Sequence, residues 1–344
     1  EEGDREAGRR RQRLLDLNRD AARFYYQLLQ QPEGRAVQDY LDRRQIKKST
    51  AVRFGMGASL DAWDVLLTAM TKKGYTKSEL LDAGLVVQNK NGGLYDKFRN
   101  RLMLPVIDTR GDVVAFGSRV LDKSEPKYMN SSETPVYSKR RVLYGLNLAK
   151  KSKRPNIILC EGNLDIVTLH QAGFDSAVAS LGTSLTPEQA RLLSRYTGEI
   201  VIAYDNDGAG QKAAQRAIGI LEKLEVRVRV LQMQGAKDPD EYIKTFGADA
   251  FRNLLEQSEN HIDYRLGAVQ RKYDLQVDEQ RVAFVKEAAA VVAELPGSVK
   301  REVYAMRVAE TAGMPAAVVT DEVQRQRKRR LSRARKQQER DLLR

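Results

Sequence analysis

Three short groups of carboxylates carry the chemistry this sequence can do. Glu161 closes the run NIILCE and Asp165 follows in EGNLD; Asp205 and Asp207 close EIVIAYDND; Asp238, Asp240 and Glu241 stand together in KDPDE. Carboxylates crowded together raise one another's pKa, so a cluster of them is stable chiefly with a cation inside it. Oxygen ligands without histidine or thiolate select a hard ion, Mg²⁺ or Mn²⁺. Mg²⁺ held by a few carboxylates keeps positions for water and substrate phosphates, which suits nucleotidyl transfer. Gly208 and Gly210, just after the second group, permit close approach of backbone to such a substrate. Each acid also has a simpler use: Asp205 or Asp207 can cap the helix that starts near Gly208, and Asp238 before Pro239 can form a turn.

The elements that must position these acids read as strand, turn and helix in repetition. NIILC leads into DIVTLHQAG, SAVAS into TPEQARLLSRY, EIVIAYD into GAGQKAAQRAIGILEKL, and VRVRVLQM follows. Apolar strands separated by helices predict a parallel or mixed sheet covered on both faces, whose ligands sit at the carboxyl ends of the strands. All three acidic groups fall at such ends, so up to six acids converge on one edge.

Upstream, Leu14, Leu17, Ala21, Phe24, Tyr25 and Leu28 recur at helical spacing and predict an amphipathic helix over 14–31 with a buried face. From Pro32 to about Asn91 short helical patterns are interrupted by Gly55, Gly57, Gly74 and Gly84, an irregular helical layer. RLMLPVIDTRGDVVAFGSRVL then reads as a β-hairpin turning at Asp108–Asp112. After Phe246 helical periodicity returns, broken at Pro296 and Pro315.

The 344 residues carry a formal charge of +13, and it is regional. Residues 97–154 hold fourteen Lys/Arg against five acids, and residues 323–344 hold ten against Glu339 and Asp341. Basic regions on a near-neutral body imply a polyanionic partner. The tail QRQRKRRLSRARKQQER reads as a solvated helix end or linker, whereas 97–154 reads as functional because its charges alternate with turn residues and aromatics. The single cysteine, Cys160, lies in an apolar run and the two histidines, His170 and His261, are far apart, so a four-ligand zinc site is not expected. No apolar run approaches the roughly 18 residues that span a bilayer, and the chain is expected to be soluble and cytoplasmic, without a membrane partner.

Glu161-Gly162 with Asp165 downstream, followed by a strand ending in the Asp205-x-Asp207 pair and a glycine-rich helix start, resembles the TOPRIM fold family. That family includes primases, topoisomerases, nucleases and recombination proteins, so the motif fixes metal chemistry on phosphate esters before it fixes the reaction. The flanks are more specific: FRNRLMLPV, VVAFGSRVL, PKYMNSSET, SKRRVLYGL, SLGTSLTPEQ and KDPDEYI resemble the bacterial replicative (DnaG-type) primases, and the similarity runs from about Leu14 to Ala316.

The resemblance implies an α/β chain, α+β overall, with a TOPRIM Rossmann-like mixed sheet flanked by a basic α+β subdomain and a C-terminal helical subdomain. The expected divisions are a linker at 1–13, the basic subdomain at 14–153, TOPRIM at 154–245, helices at 246–322, and the tail at 323–344. The resemblance implies RNA primer synthesis on single-stranded DNA from ribonucleoside triphosphates. It gives Glu161 as the essential acid, Asp205 and Asp207 as principal metal ligands, and Asp165, Asp238 and Asp240 as extensions of the metal site. It assigns Arg44, Arg119, Lys127, Tyr128, Asn130 and Lys139 to nucleotide or template, groups suited to phosphate contacts and stacking. Asn163 stands where the family has an aromatic. Members begin with a zinc ribbon, for which this chain lacks the cysteines, so it is expected to be a core piece. Contacts with a replicative helicase and a single-strand-binding protein at the bacterial replisome are expected to run through regions not present here.

Overall fold

The computed structural model describes residues 2–295 and 297–342. The chain forms two compact units, Glu1–Ser258 and Glu259–Arg344. The first opens on α1 (Glu2–Gln30), whose Leu14, Leu17, Ala21, Tyr25 and Leu28 are buried and whose Phe24 is half-buried. Short helices follow as α2 (Arg35–Arg43), α3 (Lys48–Arg53), α4 (Val65–Lys72) and α5 (Lys77–Asp82), with the strand β1 (Gly57–Ser59) between α3 and α4. The residues expected as a linker before Leu14 are instead the first turns of α1. Arg10 donates to Ser78 Oγ at 2.9 Å and Arg13 pairs with Glu79 at 2.9 Å, which ties them to α5.

A small hairpin, β2 (Val86–Gln88) with β3 (Leu94–Asp96), precedes β4 (Arg101–Ile107), β5 (Val113–Val120) and β6 (Tyr128–Asn130). The expected hairpin at Asp108–Asp112 is present, closed by Asp108 Oδ1 accepting from the amides of Arg110 and Asp112. The antiparallel sheet runs β1-β4-β5-β6, and the register sets Arg119 opposite Tyr128 and Gly117 opposite Asn130. β1 and β6, three residues each, escape sequence reading because a period of two cannot be seen in so short a run.

After β7 (Leu143–Tyr144) and α6 (Leu146–Ala149) comes the alternating part: β8 (Ile157–Cys160), α7 (Asn163–Gln171), β9 (Ala177–Ser180), α8 (Pro187–Ser194), β10 (Glu199–Ile202), α9 (Gly208–Leu221) and β11 (Arg227–Val230). Within this unit the strands lie in the order β11-β10-β8-β9-β7, all parallel except β7. Every residue of β8, β9 and β10 is buried, as strands covered on both faces require. Because β8 and β10 are neighbours, Glu161 and Asp205 leave the sheet side by side.

α10 (Pro239–Phe246) and α11 (Ala248–Glu256) close this unit. They pack on this unit, which ends at Ser258: Phe251 stacks edge-on against Phe174 at 4.9 Å, and Phe251 and Leu255 are buried in the main core. The second unit is described as α12 (His261–Gln270), α13 (Asp278–Ala293), α14 (Ser298–Ala312) and α15 (Ala316–Leu342), around Phe284, Ala288, Val292, Ala305, Val308 and Val319. The basic tail is not a separate segment but the continuation of α15. Among the described residues no helix is long and apolar enough to cross a membrane.

His170 locks α7 to the sheet: its Nε2 lies 2.9 Å from the Ala177 carbonyl and its ring packs edge-on to Phe54 at 5.1 Å. Burial holds this imidazole below its ordinary pKa, so the folded protein keeps it neutral where the unfolded chain takes up a proton. Its contribution to stability is therefore full above the unfolded value and is lost as pH falls toward the folded one, with a slope of at most about 1.4 kcal/mol per pH unit. Chemical denaturation of wild type and His170→Gln between pH 7.5 and 5 should show the variant less stable overall but losing less stability on acidification. Parallel pH profiles would remove His170 from the acid limb.

Candidate active site

The carboxyl edge of the parallel sheet opens into a cavity of about 770 Å³. Six acids line it: Glu161, Asp165, Asp205, Asp207, Asp238 and Asp240, all of the predicted cluster, joined by Glu241. They are positioned by backbone. The Asp205 amide donates to Glu161 Oε2 at 3.0 Å, which fastens β10 to β8 at their ends. Asp207 Oδ1 accepts from the Gly210 amide at 2.6 Å and Asp238 Oδ1 from the Glu241 amide at 2.8 Å, so both cap helices while lining the cavity. The capping use and the site use coexist in the same side chains. Gly210 has no room for a side chain: a Cβ there would lie 1.9 Å from the Asp205 carbonyl oxygen.

Their charges are unequally compensated. Asp240 accepts from Thr168 Oγ1, from Arg44 at 3.3 Å and from Lys244 at 2.9 Å, which makes it the counter-ion of two cations. Asp165 is buried and receives the Asp240 amide at 3.2 Å; burial, then Asp238 and Asp205, hold its pKa well above the usual carboxylate range. Asp205 is pushed up to about 7 by burial and by Glu161, Asp238 and Asp207. Its Oδ1 is buried without a hydrogen-bond partner.

This donor set fits a hard divalent cation in chemistry: half-buried carboxylate oxygen, repelled by its neighbours and short of donors. Among the described residues no three acids, histidines or cysteines are already gathered into a cage.

The opposite wall is basic. Arg44 comes from the end of α2, Arg119 from β5, and Lys127, Tyr128 and Asn130 from β6 and the turn before it. Arg119 lies over the Tyr128 ring at 5.1 Å, donates to the Val120 carbonyl at 3.0 Å, and leaves its buried Nε unpartnered. Tyr128 is 49% exposed, so one face remains for a ligand. Of the sequence-derived binding residues, Lys139 alone is not part of this lining; its amide is held by Glu133 at 2.7 Å.

Lys237 and Lys244 line the cavity and were not singled out by sequence, although both belong to KDPDEYIK. Lys244 was detectable as the partner of Asp240 at i+4 on a helix. Asn163 has a packing place: it is buried at the start of α7, and a Cβ on Gly117 would lie 2.9 Å from its Nδ2 and 3.1 Å from Asn130 Oδ1. It thus sits where the parallel and antiparallel sheets meet.

Known proteins match this arrangement over most of the chain. Residues 24–150 match the family described as DNA primase catalytic core, N-terminal domain, and residues 158–243 match the Toprim-like family. Residues 262–316 match the DnaB-helicase binding domain of primase. That last match corrects the expectation that helicase contacts lie wholly outside this chain; polar amphipathic helices offer no residue-level signature from which to read it.

A DNA primase of Clostridium acetobutylicum is 41% identical over 310 residues, which are 90% of this chain and 51% of that protein. One from Synechococcus elongatus is 41% identical over 312 residues, 88% of this chain and 45% of that protein. The chain thus spans about half the length of the curated relatives it matches. A solved DnaG primase catalytic domain bound to ssDNA is 32% identical with a TM-score of 0.79, over 90% of this chain and 99% of that one. A DNA primase domain from Pseudomonas aeruginosa is 34% identical with a TM-score of 0.77, over 90% and 99%. With its acidic sheet edge facing a basic antiparallel sheet, this chain belongs to the DnaG-type family of bacterial DNA primases.

Proposed function

We propose that this chain is the RNA-synthesising core of a primase, joining ribonucleotides on a single-stranded DNA template. One observation carries the reading: a single cavity sets carboxylates at the ends of β8 and β10 against Arg119, Lys127 and Tyr128 of the antiparallel sheet. One wall suits a divalent cation, the other suits phosphates and a stacked base. The solved DnaG catalytic domain bound to ssDNA supports the template assignment.

The reaction is attack of a ribose 3′-hydroxyl on the α-phosphorus of a nucleoside triphosphate, with pyrophosphate leaving. Glu161, Asp205 and Asp207 would hold Mg²⁺ or Mn²⁺, with Asp165 and Asp238 beside them. When bound, such an ion stabilises charge on the attacking and leaving oxygens. Arg119 and Lys127 balance the charge of triphosphate or template, Tyr128 stacks, and Asn130 supplies amide contacts. Asp240 holds Arg44 and Lys244 in place at the mouth. Lys139 belongs to the template path beyond the cavity. The helical unit carries the contact with the replicative helicase, and single-strand-binding protein acts on the same template at the replisome.

The test is incubation with single-stranded DNA, labelled ribonucleoside triphosphates and Mg²⁺, with products resolved on a gel. Short RNA that vanishes with EDTA and with Glu161→Gln is expected. DNA cut or covalently attached to protein, without RNA, would overturn the reading.

Asp205→Asn should abolish synthesis, melt no lower than wild type in EDTA because it removes a repelled charge, and lose the rise in melting temperature that Mg²⁺ gives wild type. Asp240→Asn should keep that Mg²⁺ response while synthesis falls about tenfold, a barrier increase of ~1.4 kcal/mol from misplaced Arg44 and Lys244. Equal loss of the Mg²⁺ response in both variants would make Asp240 a ligand.

A further inference from the structure

The basic tail lies outside the site just described, and its helical form sorts its charges. In α15 the buried Val319 and Val323 face the bundle, and Arg330, on the same stripe, lies 3.6 Å from Glu294, just past the end of α13. That contact sets the rotation of the helix. At the 3.6-residue period, Arg325, Arg329, Arg333, Lys336 and Arg340 fall within an arc of about 80° beside the packed stripe, its centre about 100° round the helix from it. All five are exposed. They extend along roughly 22 Å of helix.

Between Val323 and Gln338 the sequence holds eight Lys/Arg and no acid. Among the described residues only Arg325 of the five has a carboxylate partner, Glu322 at 3.4 Å. Like charges at i+3 and i+4 destabilise an isolated helix. A line of them along one face is relieved by an extended array of negative charge. The stretch has no aromatic side chain, and its apolar residues are Leu331 and Ala334 alone. It therefore has neither an aromatic platform on which bases stack nor the apolar face that seats a helix in a lipid surface.

We propose that the Arg325–Arg340 face of α15 binds the phosphate backbone of single-stranded DNA without sequence preference. This is a second contact for the template, separate from the cavity, and the choice of polyanion rests on the proposed primer synthesis. Five phosphate contacts on a single strand steepen the salt dependence of binding by roughly 3 in the slope of log K against log salt.

The experiment is fluorescence anisotropy of labelled oligo(dT) with the whole chain from 50 to 300 mM KCl. Wild type is compared with a variant carrying Gln at Arg325, Arg329, Arg333, Lys336 and Arg340, and with a control carrying Gln at Arg327, Lys328 and Arg335. Glutamine keeps helix propensity, and circular dichroism checks that α15 persists. The five-fold variant should bind at least tenfold more weakly at 50 mM salt, with the shallower slope, while the control loses less than a third of that slope change. Primer synthesis at saturating template should persist in both.

Unchanged slopes, an equal effect in the control, or a loss seen only with duplex DNA would overturn the proposal. So would tighter binding to phosphatidylcholine vesicles with 30% phosphatidylserine than to the oligonucleotide. If no protein makes RNA, the reading of the cavity fails while the anisotropy still decides the face.

Discussion

Asp205 leaves β10 with its amide fastened to Glu161 and one carboxylate oxygen buried without a donor, and the surrounding architecture follows from keeping negative charge in that place. Burial and three neighbouring acids push its carboxyl up to about 7, so the fold by itself does not favour the charged form. The repulsion persists because each of these three acids is held by backbone. Glu161 accepts from the Asp205 amide, and Asp207 and Asp238 cap helices. A group already holding a helix end cannot swing away to relieve repulsion. The site is thus assembled by secondary structure and completed by whatever positive charge enters the cavity.

The antiparallel sheet provides the opposite sign without cancelling it. Arg119 is held over the Tyr128 ring and against its own strand's backbone, and its register across from Tyr128 comes from the pairing of β5 with β6. Asn163, between Gly117 and Asn130, fills the seam between the sheets. The cavity is lined from strands and helix ends, which favours precise placement of a ligand over adaptable binding.

The parallel sheet and its acids were legible because buried strands are uniform apolar runs and their ends announce themselves with Asp, Glu and Gly. β1 and β6 were not, since three residues show no period, yet β6 presents Tyr128 and Asn130. Helical periodicity cannot say which core a helix packs on, so the place of α11 in the first unit was not readable; Phe251 against Phe174 decides it. Asp240 is the clearest case of a residue whose type was readable and whose partners were not. Arg44 lies almost two hundred residues away in sequence, and no spacing rule reaches it. The tail's charge was plain in the sequence, but only its helical phase separates the Arg330 stripe from the exposed one.

The central claim is that the unpartnered carboxylate edge exists to hold a divalent cation. Crystals of the chain soaked in Mn²⁺ and measured at the manganese absorption edge test this directly. The account predicts anomalous density in contact with Asp205 and at least one of Glu161 and Asp207, absent in Asp205→Asn. Manganese found only at surface carboxylates, with Asp205 still unpartnered, would contradict it.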